Sequence, residues 1–164
     1  LGLWQRNEAI SMGYILASQR GHTPTRLEAK PSFGNILVWK TVYETDDRFY
    51  VDAVRASLAP RVFYGTSVQK LDIQRDIPWL RQDSQQARDI ERFRWFSNDY
   101  LARSPEFGNR IIDIRYSMLP NEVAPLWSIQ LDPHAKDYEH VIYQVHRDTS
   151  TEKTAQLWKM LSAP

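Results

Sequence analysis

The apolar and polar positions of the chain change period several times, and each change marks an element. Leu3, Ile10, Tyr14 and Ala17 recur near helical spacing, so residues 3–20 are expected to form a helix, with Gly21 as its stop and Pro24 beyond it. Residues 23–32 hold two prolines among mixed charges and read as an extended loop. From Ile36 the period drops to two. Ile36–Thr45 and Phe49–Val54 are rich in β-branched and aromatic residues and flank the polar turn Thr45-Asp46-Asp47-Arg48, which predicts a β-hairpin. Alternation places Leu37, Trp39, Thr41 and Tyr43 on one face and Ile36, Val38, Lys40 and Val42 on the other. A third strand falls within 61–71, interrupted near Gly65.

A helical pattern then resumes. Asp76-Ile77-Pro78 reads as a helix start, with a short turn running to Gln82. Asp83 or Ser84 caps a longer helix to about Phe96, which presents Ala87, Ile90 and Phe93 on one side. Strands follow over 100–103 and 110–116, separated by the turn-rich Ser104–Asn109, and again over 126–131 and 141–146. Residues 149–161 close the chain as a helix, with Leu157, Met160 and Leu161 placed to meet a sheet. This order predicts an α+β fold: a single domain on a largely antiparallel sheet of five to seven strands, with N-terminal, middle and C-terminal helices.

Composition narrows the function. A chain of 164 residues, 42% hydrophobic, can bury a full core without disulfide or metal support. Lys+Arg number 21 and Asp+Glu 20, and the arginines are scattered beside acids, as in Asp89-Ile90-Glu91-Arg92. That balance lacks the basic stripe of a nucleic-acid binder, so no nucleic-acid partner is expected. With no cysteine, a disulfide scaffold, a cysteine-ligated zinc site and a thiol nucleophile are excluded. The longest uncharged run, Ala9–Gln19, has eleven residues, against about 20 for a membrane-spanning helix. Glycine-rich phosphate loops, the Gly-x-Ser-x-Gly elbow and His-Glu-x-x-His are absent.

Few residues remain as candidate chemistry. His140 and His146 would share a strand face, but about 20 Å apart, too far to hold one metal ion. His134, Asp137 and His140 follow Asp132-Pro133 at three-residue spacing and are the candidate metal ligands; the competing reading is a solvated loop. Asp113 and Arg115, two apart on an expected strand, point the same way. They are either a carboxylate held by a guanidinium in a cleft or a structural ion pair. Asp46 and Asp47 belong to the turn. Trp39 and Arg94-Trp95-Phe96 either line a pocket or belong to the core.

Three blocks carry a family resemblance. The first is Pro31-Ser32-Phe33-Gly34-Asn35-Ile36-Leu37-Val38-Trp39-Lys40, followed by Val42, Glu44 and Tyr50-Val51. The second is Arg92-Phe93-Arg94-Trp95-Phe96-Ser97, and the third Ile112-Asp113-Ile114-Arg115-Tyr116. In order and spacing they resemble the soluble C-terminal region of YdjM-like, inner-membrane-associated metal-dependent hydrolases (the LexA-regulated inner-membrane hydrolase family). The resemblance covers about residues 20–131 and leaves 132–164 unmatched. Members carry hydrophobic helices upstream, where the proposed metal-binding His and Asp residues lie.

The resemblance implies a division of labour. Residues 1–22 would be a helical linker from a membrane region, and residues 23–164 a single soluble domain outside the bilayer. The chain starts at Leu1 instead of Met, which accords with a segment upstream. The membrane would be the bacterial inner membrane, reached through that segment. Any divalent metal would sit there, with no cofactor in the present residues. Asn35, Trp39, Asp113 and Arg115 carry over as family-pattern positions without an assigned role. The expected function is therefore the extramembrane domain of a membrane-bound metal-dependent hydrolase. Two alternatives stand beside it: a non-catalytic ligand- or partner-binding module tethered to the membrane, and a self-contained enzyme using His134, Asp137 and His140. The surroundings of Asp113 and Arg115 discriminate: a conical apolar pocket shared with Trp39 or Trp95 favours binding, and pairing on a flat solvated face makes both residues structural.

Overall fold

The computed structural model describes residues 2–163. The chain runs α1 (Gly2–Gln19), β1 (Arg26–Pro31), β2 (Val38–Glu44), β3 (Arg48–Arg55), β4 (Arg61–Gln69), α2 (Ile73–Asp76), α3 (Gln85–Phe96), β5 (Leu101–Arg103), β6 (Arg110–Asp113), β7 (Trp127–Gln130), β8 (Ile142–Val145) and α4 (Thr151–Ser162). The class is α+β, as expected, but the strands form two antiparallel sheets of four instead of one of five to seven. Each sheet is a meander in chain order, β1-β2-β3-β4 (sheet A) and β5-β6-β7-β8 (sheet B). The two short helices between β4 and β5 carry the chain away from the first sheet, so the second meander starts afresh on its other side.

Alternation in the strands builds layers. Val42, Phe49, Val51 and Val68 of sheet A meet Ala102 and Ile112 of sheet B, together with Tyr100 and Ile114 just outside its strands. The opposite face of sheet B, through Leu101, Ile111 and Ile129, packs on Ile90 and Phe93 of α3. The opposite face of sheet A, through Ala29, Trp39 and Val54, packs on Ala9 of α1. The layers are thus α1, sheet A, sheet B and α3. Every residue of β2 is buried, because both of its faces are covered.

The sheet-B-facing row of β2 decides where the site lies. Val38 packs with Ala53 against Met160 of α4. Val42 packs against sheet B. Lys40, between them and paired with Ala53, sits at the seam where one cover gives way to the other. At the row's end the Glu44 carboxylate is ion-paired with Arg26 and Lys70.

Several boundaries differ from the sequence expectation. The extended loop over 23–32 contains β1, an edge strand whose Pro31 pairs with Trp39 at its last position, where a missing N–H is tolerated. Helix α1 packs on sheet A. Ala9, Leu16 and Ala17 of α1 are buried, and Arg20 just beyond it donates two hydrogen bonds to buried Asp52, at 2.7 and 2.9 Å. The helix start expected at Asp76 is an end: Asp72 caps α2, its carboxylate accepting from Arg75 N at 3.0 Å. The interruption near Gly65 is a bulge, in which Tyr64 and Gly65 stand opposite Asp52 alone. A Cβ at Gly65 would collide with the carbonyls of Val51 and Asn121, so only glycine fits.

Candidate functional site

The first wall of the site is the loop between β1 and β2. Asn35 organises it: its Oδ1 accepts from Leu37 N (3.0 Å) and Val38 N (2.9 Å), and its Nδ2 donates to Ser32 Oγ (2.6 Å). Gly34 takes a φ of 73°, which the turn requires. Trp39 Nε1 donates to Ile36 O at 2.8 Å while its ring lies under α1. Asn35 and Trp39 are therefore structural. They hold a loop that presents Ser32 and Phe33 to the cleft.

The second wall is the turn after β6. Asp113 ends that strand, fully buried, and Arg115 lies in the following turn and not on the strand as expected. Asp113 Oδ1 accepts from Arg115 N at 3.0 Å, a tight Asx-type turn that curls the arginine back onto its carboxylate. Arg115 Nε and Nη2 then donate to Asp113 at 3.1 and 2.8 Å, and Nη2 also donates to Phe96 O at 3.2 Å. Burial works against the guanidinium's charge, but the Asp113 carboxylate outweighs it and holds the Arg115 pKa above its usual value.

Lys40 closes the bottom. Its side chain crosses the seam and donates to Ser117 Oγ (2.7 Å) and Glu122 O (2.6 Å). Among the described residues six charged ones are buried: Lys40, Glu44, Asp52, Asp89, Asp113 and Arg115. Five meet an opposite charge or, for Asp89, an imidazole. Lys40 meets no carboxylate at ion-pair distance among the described residues. Burial pushes its pKa down to about 7, and the more distant Asp113 and Glu122 only partly offset that.

These walls enclose a cleft of about 220 Å³. Its charged lining residues are all cations: Lys40, Arg115 and Arg147. The rest is largely apolar, including Phe33, Tyr116, Leu126, Trp127 and Val145. Trp127 stands edge-on to Tyr116, with ring centroids 5.0 Å apart. Trp127 and Val145 face each other across β7 and β8 and also line a second groove of about 380 Å³, whose floor includes Phe93, Phe96 and Tyr143. The tryptophan of the site is thus Trp127. Trp39 is core, and Trp95 is 84% exposed.

The candidate metal ligands do not converge. Asp137 pairs with Arg81 at 2.9 Å. His140 Nδ1 lies 2.9 Å from Asp89 Oδ2, and the same carboxylate accepts from Val141 N at 3.0 Å, so His140 ties its loop to α3. His134 lies on the exposed loop, its N–H bonded to Asp132. Among the described residues no three His, Cys, Asp or Glu side chains form a metal-holding group. His146 hydrogen-bonds Ser128 Oγ at 2.7 Å. Tyr143 and Val145 of β8 are more than half exposed. The cause is that β8 is an edge strand whose outer side no element covers.

Sequence reasoning missed Lys40, Tyr116, Trp127 and Arg147. Only Lys40 carried a signal: a lysine inside the apolar row Ile36, Val38, Val42 of a hairpin strand. No family model, curated protein or solved structure matches this chain.

Proposed function

We propose that the chain is the extramembrane domain of a membrane-bound metal-dependent hydrolase, and that its own part in that protein is to bind a ligand at the cleft between the sheets. One observation carries the reading. Two of the three blocks that resemble the hydrolase family, far apart in sequence, line this cleft, and the second touches it through a hydrogen bond to Arg115. Ser32, Phe33 and Lys40 come from the first, Arg115 and Tyr116 from the third, and Phe96 of the second accepts a hydrogen bond from Arg115. A shared sequence pattern that converges on a pocket accords better with a binding site than with packing alone. Arg115 lines an apolar pocket, which supports binding over a flat ion pair, although the tryptophan beside it is Trp127 and neither Trp39 nor Trp95. Hydrolytic chemistry, with its divalent metal, belongs in this reading to the membrane part and the bacterial inner membrane.

The test is metal content and metal-dependent thermal shift of this chain, with His134→Ala and His140→Ala alongside. The expected result is no stoichiometric metal and no shift. Stoichiometric metal lost in both variants would place a catalytic centre in this domain and overturn the proposal. In the membrane-bound protein, Arg115→Ala is expected to raise KM with little change in kcat.

A further inference from the structure

We infer that the cleft at Lys40 binds a single-headed anionic amphiphile, with a carboxylate or phosphate head against Lys40 and Arg115 and an apolar chain running out past Trp127 and Val145. The inference deepens the proposed ligand site and rests on that reading of the cleft.

The head group follows from charge and hydrogen bonding. A protonated lysine has three donors, and Lys40 has two acceptors, Ser117 Oγ and Glu122 O. Lys40 is 3% exposed and meets no carboxylate at ion-pair distance among the described residues, an arrangement that costs stability unless an anion completes it. Arg115 uses Nε and Nη2 on Asp113 and Phe96 O, and its Nη1 takes no partner among the described residues. Arg147 adds a third cation at the exposed rim. Among the described residues no carboxylate lines the cleft.

The chain follows from the walls. A cleft of about 220 Å³ is larger than the ~150 Å³ apolar cavity that accommodates a benzene ring. It therefore holds a head group and a few methylenes. A longer chain has somewhere to go, because the Trp127–Val145 pair borders both the cleft and the groove over Phe93, Phe96 and Tyr143. A small hydrophilic anion would leave those aromatic walls unused. A neutral apolar ligand would leave Lys40 unpaired.

Titration calorimetry of this chain at pH 6.5 tests the inference, with decanoate, decyl phosphate below its micelle concentration, inorganic phosphate and decanol as probes. Decanoate and decyl phosphate are expected to bind at least about tenfold more tightly than decanol or inorganic phosphate. Lys40→Met should remove that preference and leave decanol binding unchanged. Trp127→Ala, at the half-exposed rim, should weaken every chain-bearing probe without lowering the melting temperature. Equal binding of decanol and decanoate would overturn the anionic head but keep a ligand site. Equal binding of inorganic phosphate and decyl phosphate would overturn the chain. No binding by any probe would overturn both the inference and the ligand-site reading. Sedimentation with phosphatidylglycerol vesicles separates the sources: capture by vesicles without binding of the monomeric probes would mean a lipid surface, and would overturn a site for free amphiphile.

Discussion

The two sheets share a topology and differ in nearly everything else. Sheet A has strands of six to nine residues, and its β2 is buried throughout. Sheet B has strands of three or four residues, and β8 is exposed at three of its four positions. The first is sandwiched between α1 on one side and sheet B and α4 on the other. The second is covered by α3 over β5–β7 and left bare toward β8. Burial along whole strands is the mark of one meander, and an open edge beside the cleft that of the other. The cleft lies where they meet, with a fixed cation from sheet A and aromatic walls from sheet B and its loops.

The sharpest way to break the comparison is to cut the shared core. Phe49→Ala removes a fully buried ring that meets Tyr100 at 5.4 Å, and should cost ~3–5 kcal/mol in urea unfolding. A loss below ~1 kcal/mol would mean that the sheets are not mutually supporting. Next comes the buried ion pair. Asp113→Asn leaves the Arg115 guanidinium without its counter-charge and should cost ~3 kcal/mol, measured the same way.

Lys40→Met should act in the opposite direction. The folded lysine titrates near 7 and the unfolded one near its ordinary 10.5. Between those values the unfolded chain holds the extra proton, so the stability of the parent rises with pH across that window and is lowest below it. The variant lacks this slope. It should be more stable than the parent at pH 6, on the order of 1–3 kcal/mol, with the gap closing toward pH 10. A difference between the two chains that does not change with pH would show that Lys40 is not desolvated. The smallest effect belongs to the bare edge: Tyr143→Ser, at a side chain 55% exposed, should change stability by less than ~0.5 kcal/mol.

The same contrast explains what could be read from the sequence. Strong periodicity marks elements buried on defined faces. The hairpin of β2 and β3, the Ser84 cap of α3 and the apolar side of α4 were legible for that reason. β1 was not, because Pro31 within it and Pro24 just before it argue against a strand, and only the place of Pro31 at the end of an edge strand makes it harmless. The split into two sheets was hidden as well: pairing between distant strands leaves no local trace, and the strands of sheet B are too short to show a period. In the site, Asp113 and Arg115 were recognisable as neighbours, although the turn that joins them was read as strand. Trp127 and Arg147 were invisible, since their role comes from the crossing of two meanders and not from spacing along one.

The uncovered side of β8 has a practical consequence. A row of unpaired peptide groups runs there beside exposed Ile142, Tyr143 and Val145, with no proline or lysine on the strand to discourage a neighbour. In a concentrated preparation, strand addition between molecules is expected to begin at this rim. A lysine at Tyr143 is therefore the change that should most improve the solubility of the purified chain, at little cost to its fold.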